Sequence, residues 1–313
     1  MSAIKKYTTE SLLEILNFII SSLKDNDEVT FEALNPDIMD HAFSGEIISI
    51  NDELFIYRGI KAWVNLAEIL GCKIGIPKTI SKHLIEITFK KLNTSNSFHT
   101  ISMPKKEEKY GSDSEFARIS KNEEPTFLYH YIQALKAVDI NRRKSILNLG
   151  VNRADEFNII KAMMDSNSFK KINLVGLDHS SSALRVAKDK FPQASFFETD
   201  INDINKLNLG KFDLIMSIGT LQSPSINYKP FLMNLVQNYL NENGAIILGF
   251  PNSRWIDGEL IYGAKAPNYN YSEMSLLFND VIFAKKYLQQ KKFRVTITGR
   301  EYIFLTATKI GIN

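Results

Sequence analysis

Residues that could do chemistry stand at the ends of three short apolar runs. Asn148 and Gly150 end the run SILNLG, Asp178 ends INLVGLD, and Asp200 follows ASFFET directly. A glycine lets the backbone approach a ligand closely, and a carboxylate in such a loop can bind the hydroxyls of a ribose. The acid at position 200 can contact an adenine amino group, with Ile201 against the ring face. Together these residue types predict a nucleotide site.

The first of these loops departs from the usual dinucleotide fingerprint. A G-x-G-x-x-G turn would carry further glycines after Gly150, and this loop has Asn152 and Ala154 there instead. Asn tolerates positive φ and Ala is small, so the turn can still form. The following helix begins near Arg153 or Ala154, and its N–H groups can face a polar ligand. Taken alone, the loop is also consistent with an ordinary connection between a strand and a helix.

Each acid also has a simpler structural interpretation. Asp178 can cap the next helix, for which Ser180 to Ser182 are available as well. Asp200 can be a surface acid. Three acceptable loops in the correct order are much less expected by chance than any one of them, so we favour the nucleotide site.

A long polar and aromatic loop, FPNSRWIDGELIYGAKAPNYNY, follows the fifth apolar run. Arg254 can clamp a carboxylate or a phosphate, and Tyr262 can donate or relay a proton. Asp257 or Glu259 can act as a base. We predict Arg254, Asp257 and Tyr262 as catalytic residues. The alternative is a solvated connection in which the arginine and the acids pair with each other.

The elements that must position these loops follow from the apolar periodicity. From Lys144 onward, five apolar runs alternate with helical stretches, which predicts a parallel sheet covered by helices on both faces. Ligands of such sheets bind beyond the carboxyl ends of the strands. At the C-terminus, alternating residues on both sides of Gly299 predict an antiparallel hairpin.

The N-terminal part has a different pattern. Helical spacing from Leu12 to Leu23 predicts an amphipathic helix capped by Thr8 or Thr9, and alternation from Ile85 to Phe89 predicts a strand. Residues 93–124 are polar, which is typical of a linker or a mobile cover. We therefore predict a smaller α+β region over residues 1–120, which covers or selects a substrate, and a nucleotide-binding domain over residues 121–313.

From about Pro125 to Lys309, these loops and the terminal hairpin resemble the class I S-adenosylmethionine (SAM)-dependent methyltransferases. The resemblance implies a Rossmann-like, mostly parallel seven-stranded sheet with a C-terminal antiparallel hairpin. It also implies SAM as the cofactor, held at its methionine end by the first loop, at its ribose by Asp178 and at its adenine by Asp200. The implied cofactor-binding residues are Asn148, Gly150, Asn152, Asp178, His179, Asp200, Ile201, Ser217 and Ile218. The family usually has Glu or Asp where this chain has Asn148.

The expected reaction is methyl transfer to an unidentified acceptor by in-line displacement, without a metal, because none of the five histidines shows ligand spacing. The alternatives are an inactive SAM- or nucleotide-binding regulatory module and an RNA-modifying methyltransferase. A net charge of +3 from 38 basic and 35 acidic residues is too balanced to indicate a nucleic-acid partner. A small-molecule acceptor is favoured, with RNA or protein acceptors still open.

Cellular location is predicted from the cysteine count and the N-terminus. The single cysteine, Cys72, allows no intrachain disulfide, which fits a reducing cytoplasmic setting. The N-terminal stretch SLLEILNFIISSL contains an acid and is too short to span a membrane, so neither a secretion signal nor a membrane partner is expected.

Overall fold

The computed structural model describes residues 4–96, 106–264 and 272–311. These residues fall into two compact units. The first contains the described residues up to 96 together with Ile256–Glu259, and the second contains those from 106 onward apart from that short segment.

The first unit is a small α+β structure. Its strands order as β1-β2-β7-β5, with β6 also paired to β7 and with β3 and β4 forming a separate hairpin. Its elements are β1 (Lys5–Lys6), α1 (Leu12–Asp25), β2 (Glu28–Leu34), β3 (Ile47–Ile50), β4 (Glu53–Ile56), α2 (Ile60–Ile69), β5 (Cys72–Ile74), β6 (Lys78–Ser81) and β7 (Leu84–Lys91).

The cap of α1 differs from the prediction. Ser11, rather than Thr8 or Thr9, is the N-cap, because it forms a capping box with Glu14 in which both side chains bind backbone N–H groups. The buried face of the helix consists of Ile15, Ile19 and Leu23, whereas Leu12 and Ile20, which the helical spacing also placed on the apolar stripe, are exposed.

The second unit is built on a seven-stranded sheet with the order β10-β9-β8-β11-β12-β16-β15. Its elements are α3 (Pro125–Ala137), β8 (Ser145–Leu149), α4 (Asp155–Met163), α5 (Ser166–Phe169), β9 (Asn173–Asp178), α6 (Ser181–Lys190), β10 (Ser195–Glu198), β11 (Phe212–Ile218), α7 (Tyr228–Asn234), β12 (Leu240–Pro251), β13 (Ser253–Ile256), β14 (Glu259–Tyr262), α8 (Ser275–Gln290), β15 (Phe293–Gly299) and β16 (Tyr302–Lys309). The tip between β13 and β14 groups with the first unit.

The sheet confirms the predicted fold class. Strands β8 to β12 run parallel to one another, whereas β16 is antiparallel to both β12 and β15. Buried side chains form an apolar cluster on each side of the sheet. The strand order reverses at β8, with β9 on one side and β11 on the other, so the loops after these strands meet at the usual position of a ligand crevice.

A segment that we call the strap, Lys106–Glu123, contains three 3₁₀ turns and belongs to the second unit. Asn152 Nδ2 donates to the carbonyl oxygen of Tyr110 at 2.7 Å, and Arg153 donates to the carbonyl oxygens of Ala117 at 2.5 Å and Ile119 at 3.1 Å. The predicted domain boundary at residue 120 would cut through the strap. These hydrogen bonds are the physical reason why a polar, linker-like sequence packs on the loop after β8.

Candidate active site

A cavity of about 220 Å³ opens at the carboxyl edge of the seven-stranded sheet, within the second unit. The lining residues come from the ends of five parallel strands, from the start of β16 and from the strap. They are Tyr110, Phe116, Ile119, Lys121, Gly150, Asn152, Asp178, His179, Asp200, Ile201, Ile218, Gly219, Thr220, Ser223, Ser225, Ile226, Pro251, Ser253, Arg254, Trp255 and Tyr302.

Two sides of the cavity are distinguished below. The β9 side contains the lining residues after β8, β9 and β10, and the β12 side contains those after β11 and β12 together with Tyr302. Neighbouring strands lie about 4.8 Å apart, so β9 and β12, which are three positions apart, are separated by about 14 Å. The seven predicted cofactor residues that line the cavity are therefore brought together by the strand order, although they lie far apart in the chain.

Gly150 forms a tight cradle at the end of β8. Its φ is +71°, and a Cβ built there would overlap the side chain of Thr220. Two non-glycine residues of the same turn, Asn152 and Ala154, also have positive φ, at 47° and 57°. The loop therefore keeps a glycine-like backbone without the later glycines, and the absence of a side chain at Gly150 lets Thr220 lie close to the backbone.

Asp178 is 7% exposed and lines the cavity at the end of β9. Its Oδ2 accepts a hydrogen bond from the N–H of Asn152 at 2.8 Å, and its Oδ1 accepts one from the N–H of Ser180 at 2.9 Å. The α6 N-cap is Ser180, so Asp178 is not the helix cap. Because a carboxylate oxygen has a second lone pair, each oxygen can still accept a ligand hydroxyl.

Asp200 has two roles in the structure. Its Oδ1 accepts a hydrogen bond from the N–H of Asn202 at 2.9 Å and caps the 3₁₀ turn Ile201–Lys206. The residue also lines the cavity, as does its neighbour Ile201, which is otherwise buried. Asp200 can therefore cap the 3₁₀ turn and still face a ligand in the cavity.

A buried ion pair that the sequence did not indicate lies beside the first loop. Lys121 Nζ of the strap is 4.0 Å from Glu156 Oε1 of α4, and their side chains are 23% and 9% exposed. Burial raises the pKa of the Glu156 carboxyl, while the charge of Lys121 and the interaction with Asn148 lower it in part. Asn148 is buried, and its side chain interacts with this carboxyl.

Lys121 keeps its positive charge in this setting. Burial on its own would lower the pKa of Lys121, but nearby acidic groups, chiefly Tyr302 and Glu156, outweigh it, and the pKa is raised. The ammonium lies 5.7 Å from the centre of the Tyr302 ring and 6.0 Å from that of Phe116. The strap therefore brings a cation and aromatic faces to the cavity.

On the β12 side, Arg254 is held by its Nη1 atom. This atom donates to the carbonyl oxygen of Gly263 at 3.0 Å and to Ser272 Oγ at 3.1 Å. Trp255 and Tyr302 supply aromatic surface beside it. Hydroxyl groups of Thr220, Ser223, Ser225 and Ser253 belong to the same side.

Some predicted residues lie away from the cavity lining. Asn148 and Ser217 are buried beneath it, and Ser217 Oγ donates to the carbonyl oxygen of Leu149 at 3.2 Å. Tyr262 is 38% exposed, with the Arg300 guanidinium 5.6 Å from its ring centre. These side chains, on β8, β11 and β14, are not among those that line the cavity.

Asp257 is in the first unit, not beside Arg254. Its carboxylate accepts hydrogen bonds from the Asn93 N–H at 3.2 Å and from Asn96 Nδ2 at 2.8 Å. These hydrogen bonds, chiefly that from Asn96, lower the pKa of the Asp257 carboxyl. The predicted base is thus an ionised carboxylate that is already engaged in a turn contact.

Two further features concern only the described part of the chain. Within residues 4–96, 106–264 and 272–311, no group of three or more His, Cys, Asp or Glu side chains is placed to hold a metal ion. In the same residues, no helix combines the length and apolar character needed to cross a bilayer.

No protein-family model and no curated protein matches this sequence. Solved structures do resemble the chain. The plantazolicin methyltransferase BpumL, in complex with a desmethylPZN analog and SAH, is 14% identical and has a TM-score of 0.43, over 64% of this chain and 93% of that chain.

Two other solved structures have similar sequence identities and TM-scores. A TehB-like SAM-dependent methyltransferase from Corynebacterium glutamicum is 17% identical with a TM-score of 0.38, over 57% of this chain and 86% of that chain. The methyltransferase domain of bacterial CtHen1 is 18% identical with a TM-score of 0.40, over 59% of this chain and 98% of that chain. Each of these three solved structures is named as a methyltransferase or a methyltransferase domain.

Proposed function

We propose that this chain is a SAM-dependent methyltransferase that transfers a methyl group to a small acceptor. The observation that carries the proposal is the convergence of Gly150, Asp178 and Asp200 in one cavity, at the ends of three adjacent strands. A glycine cradle, a buried carboxylate and a second carboxylate beside an apolar residue match the methionine, ribose and adenine parts of SAM in that order.

The residues of the β9 side, together with Lys121 of the strap and Ile218 of β11, fit this ligand. Gly150 lines the cavity with backbone atoms alone, and Asp178 has an acceptor position left on each oxygen. Lys121, beside the same loop, supplies a positive charge for the carboxylate of the methionine part. Ile201 and Ile218 offer apolar contact to the adenine.

Bound SAM supplies a methyl group on a positively charged sulfur, which is already an activated leaving group. The protein then has to align the acceptor and exclude water. The strap covers the cavity with Tyr110, Phe116 and Ile119, which favours exclusion of water. The aromatic and hydroxyl groups of the β12 side are the wall against which an acceptor is aligned.

The test is the affinity of S-adenosylhomocysteine for Asp178→Ala. We expect its Kd to rise by about 10- to 100-fold, since loss of buried hydrogen bonds costs about 1–3 kcal/mol. Isothermal titration calorimetry measures this directly. Asp203→Ala is the matched control, because Asp203 forms only an exposed i,i+3 pair with Lys206 in the same region of the chain.

Unchanged affinity in Asp178→Ala would remove the ribose assignment. Methyl transfer from labelled SAM to a fraction of a cell extract separates an enzyme from a regulatory module that binds SAM without turnover. We expect incorporation of label to depend on Asp178 and not on Asp203.

A further inference from the structure

We propose that the acceptor is a carboxylate, that the product is a methyl ester, and that Arg254 is the residue that binds the acceptor. The inference rests on the proposed function, since it concerns the same cavity. It names the class of acceptor, and it follows from the charges and the titratable groups that the structure places on each side of the cavity.

The distribution of charge is the first step. Among the described lining residues, both acids lie on the β9 side, whereas Arg254 is the cation of the β12 side. SAM carries a sulfonium and an ammonium group against one carboxylate, so its net charge is positive. With Lys121 beside the methionine part, Arg254 adds a positive charge where the acceptor must lie. The acids of the β9 side, Asp178 and Asp200, lie where the cofactor is proposed to bind, so the nearest charge to the acceptor is that of Arg254, which attracts an anionic acceptor and repels a cationic one.

The absence of a general base among the described residues of the β12 side is the second step of the inference. In the part of the chain that the structure describes, the β12 side has hydroxyl, aromatic and guanidinium groups but no carboxylate or imidazole. Asp257, the predicted base, lies in the first unit and is engaged by Asn93 and Asn96. An alcohol or an ammonium group must lose a proton before or during attack, so it needs a base that this side does not provide.

A carboxylate acceptor is anionic and needs no base. Its pKa is about 4, so it is ionised at neutral pH and attacks without losing a proton. The planar fork of an arginine matches a carboxylate better than it matches an amine or a single hydroxyl. Two contacts hold Arg254 Nη1, so the guanidinium is oriented in advance. The aromatic surface of Trp255 and Tyr302 beside it suits an acceptor with an apolar or aromatic body.

The transfer step balances without a proton. A carboxylate oxygen of the acceptor forms a bond to the methyl carbon, the bond between that carbon and sulfur breaks, and its electron pair stays on sulfur. The negative charge of the acceptor and the positive charge of the sulfonium disappear together. No oxidant, metal or base enters the step.

The first experiment measures binding. With S-adenosylhomocysteine present, ligand-observed NMR compares phenylacetate with 2-phenylethanol and 2-phenylethylamine, which share the ring and differ in the polar group. We expect phenylacetate to bind best. Arg254→Gln should weaken it by about 10- to 100-fold, as expected for a charge-assisted hydrogen-bonded pair. Arg254→Lys should retain part of the affinity.

Arg300→Gln is the matched control, because it removes the same charge from a residue whose guanidinium lies over the Tyr262 ring and not in the cavity lining. We expect it to leave phenylacetate binding unchanged. The affinity for S-adenosylhomocysteine should be unchanged in both Arg254 variants, which shows that each is folded.

The second experiment identifies the product. Label from methyl-labelled SAM is transferred to the small-molecule fraction of a cell extract, and the products are treated with mild alkali. We expect the label to be released as methanol, because esters are cleaved whereas ethers and methylamines are stable. We also expect kcat/KM for the acceptor to be flat between about pH 6 and 9, where a carboxylate is fully ionised.

Alkali-stable label, tighter binding of the amine or the alcohol, or a rise of kcat/KM between pH 6 and 8 would each overturn the carboxylate assignment and leave methyl transfer standing. Loss of S-adenosylhomocysteine affinity in Arg254→Gln would move that arginine to the cofactor. A wild-type chain that binds no S-adenosylhomocysteine would instead overturn the proposed function itself.

Discussion

Two separate constraints require glycine at position 150. Its φ of +71° lies in the left-handed region, and a Cβ there would overlap Thr220. Asn152 and Ala154 also have a left-handed backbone, and each does so with its side chain present. Of these three positions of the loop, only Gly150 requires glycine for both reasons.

Gly150→Ala should lower both stability and cofactor affinity. The left-handed conformation costs a non-glycine residue about 1–2 kcal/mol, and displacement of Thr220 adds to this cost. Gly210→Ala is the matched control, since Gly210 has a φ of +76° and nothing within 4 Å of the built Cβ. Urea unfolding should show a loss in both variants, whereas calorimetry should show weaker S-adenosylhomocysteine binding only in Gly150→Ala. Equal affinity in the two variants would argue against the cradle.

The strap is the element that sequence composition described least well. Its polar residues make it similar to a linker, yet Glu108 accepts hydrogen bonds from the hydroxyls of Ser180, Ser181 and Ser182 at the start of α6. Further contacts tie it to the loop after β8. Polar residues are typical of a linker because water satisfies their hydrogen bonds. In the strap, residues of other loops satisfy these hydrogen bonds instead, and no local sequence pattern indicates such partners.

Glu108→Ala should loosen the strap. We expect hydrogen exchange at the Gly111–Ile119 amides to become about two- to fivefold faster, the range expected for a partly exposed charged contact, with the sheet amides unchanged. Glu115→Ala is the control, because Glu115 pairs only with the exposed Arg118 within one turn. Equal exchange rates in the two variants would show that the serine contacts do not hold the strap.

The same contact predicts a dependence on pH. Burial on its own would raise the pKa of the Glu108 carboxyl, but the hydrogen bonds from Ser182, Ser180 and Ser181 lower it below its ordinary value. A group whose folded pKa is lowered stabilises the fold above its unfolded pKa, here about 4.3. Strap protection should therefore be constant above about pH 5 and decline as the pH falls through the folded pKa. Protection that is unchanged down to pH 3 in wild type would contradict this.

At the scale of the whole molecule, each of the two units has its own apolar core. Phe31, Trp63 and Phe89 are fully buried in the first unit, and the clusters on both faces of the seven-stranded sheet lie in the second. A unit with its own core can unfold as a unit. The cavity lies in the second unit alone.

Differential scanning calorimetry should accordingly resolve two transitions. S-adenosylhomocysteine at 100 times its Kd should stabilise the second unit by about 2.7 kcal/mol and leave the first unchanged. Leu288→Ala, in the core of the sheet, should lower the same transition that the ligand raises. A single transition that shifts as a whole would show that the units unfold together.

The sequence by itself determined the sheet, the helices that cover it, the terminal hairpin and the loops that carry Gly150, Asp178 and Asp200. These follow from the spacing of apolar residues and from residue types at strand ends, which are local properties of the chain. Only the tertiary structure decided that Lys121 meets Glu156, that Tyr302 joins the cavity, that the strap packs on the loops and that Asp257 lies elsewhere. Each of these depends on contacts between segments far apart in the chain, and packing, not local pattern, selects such contacts.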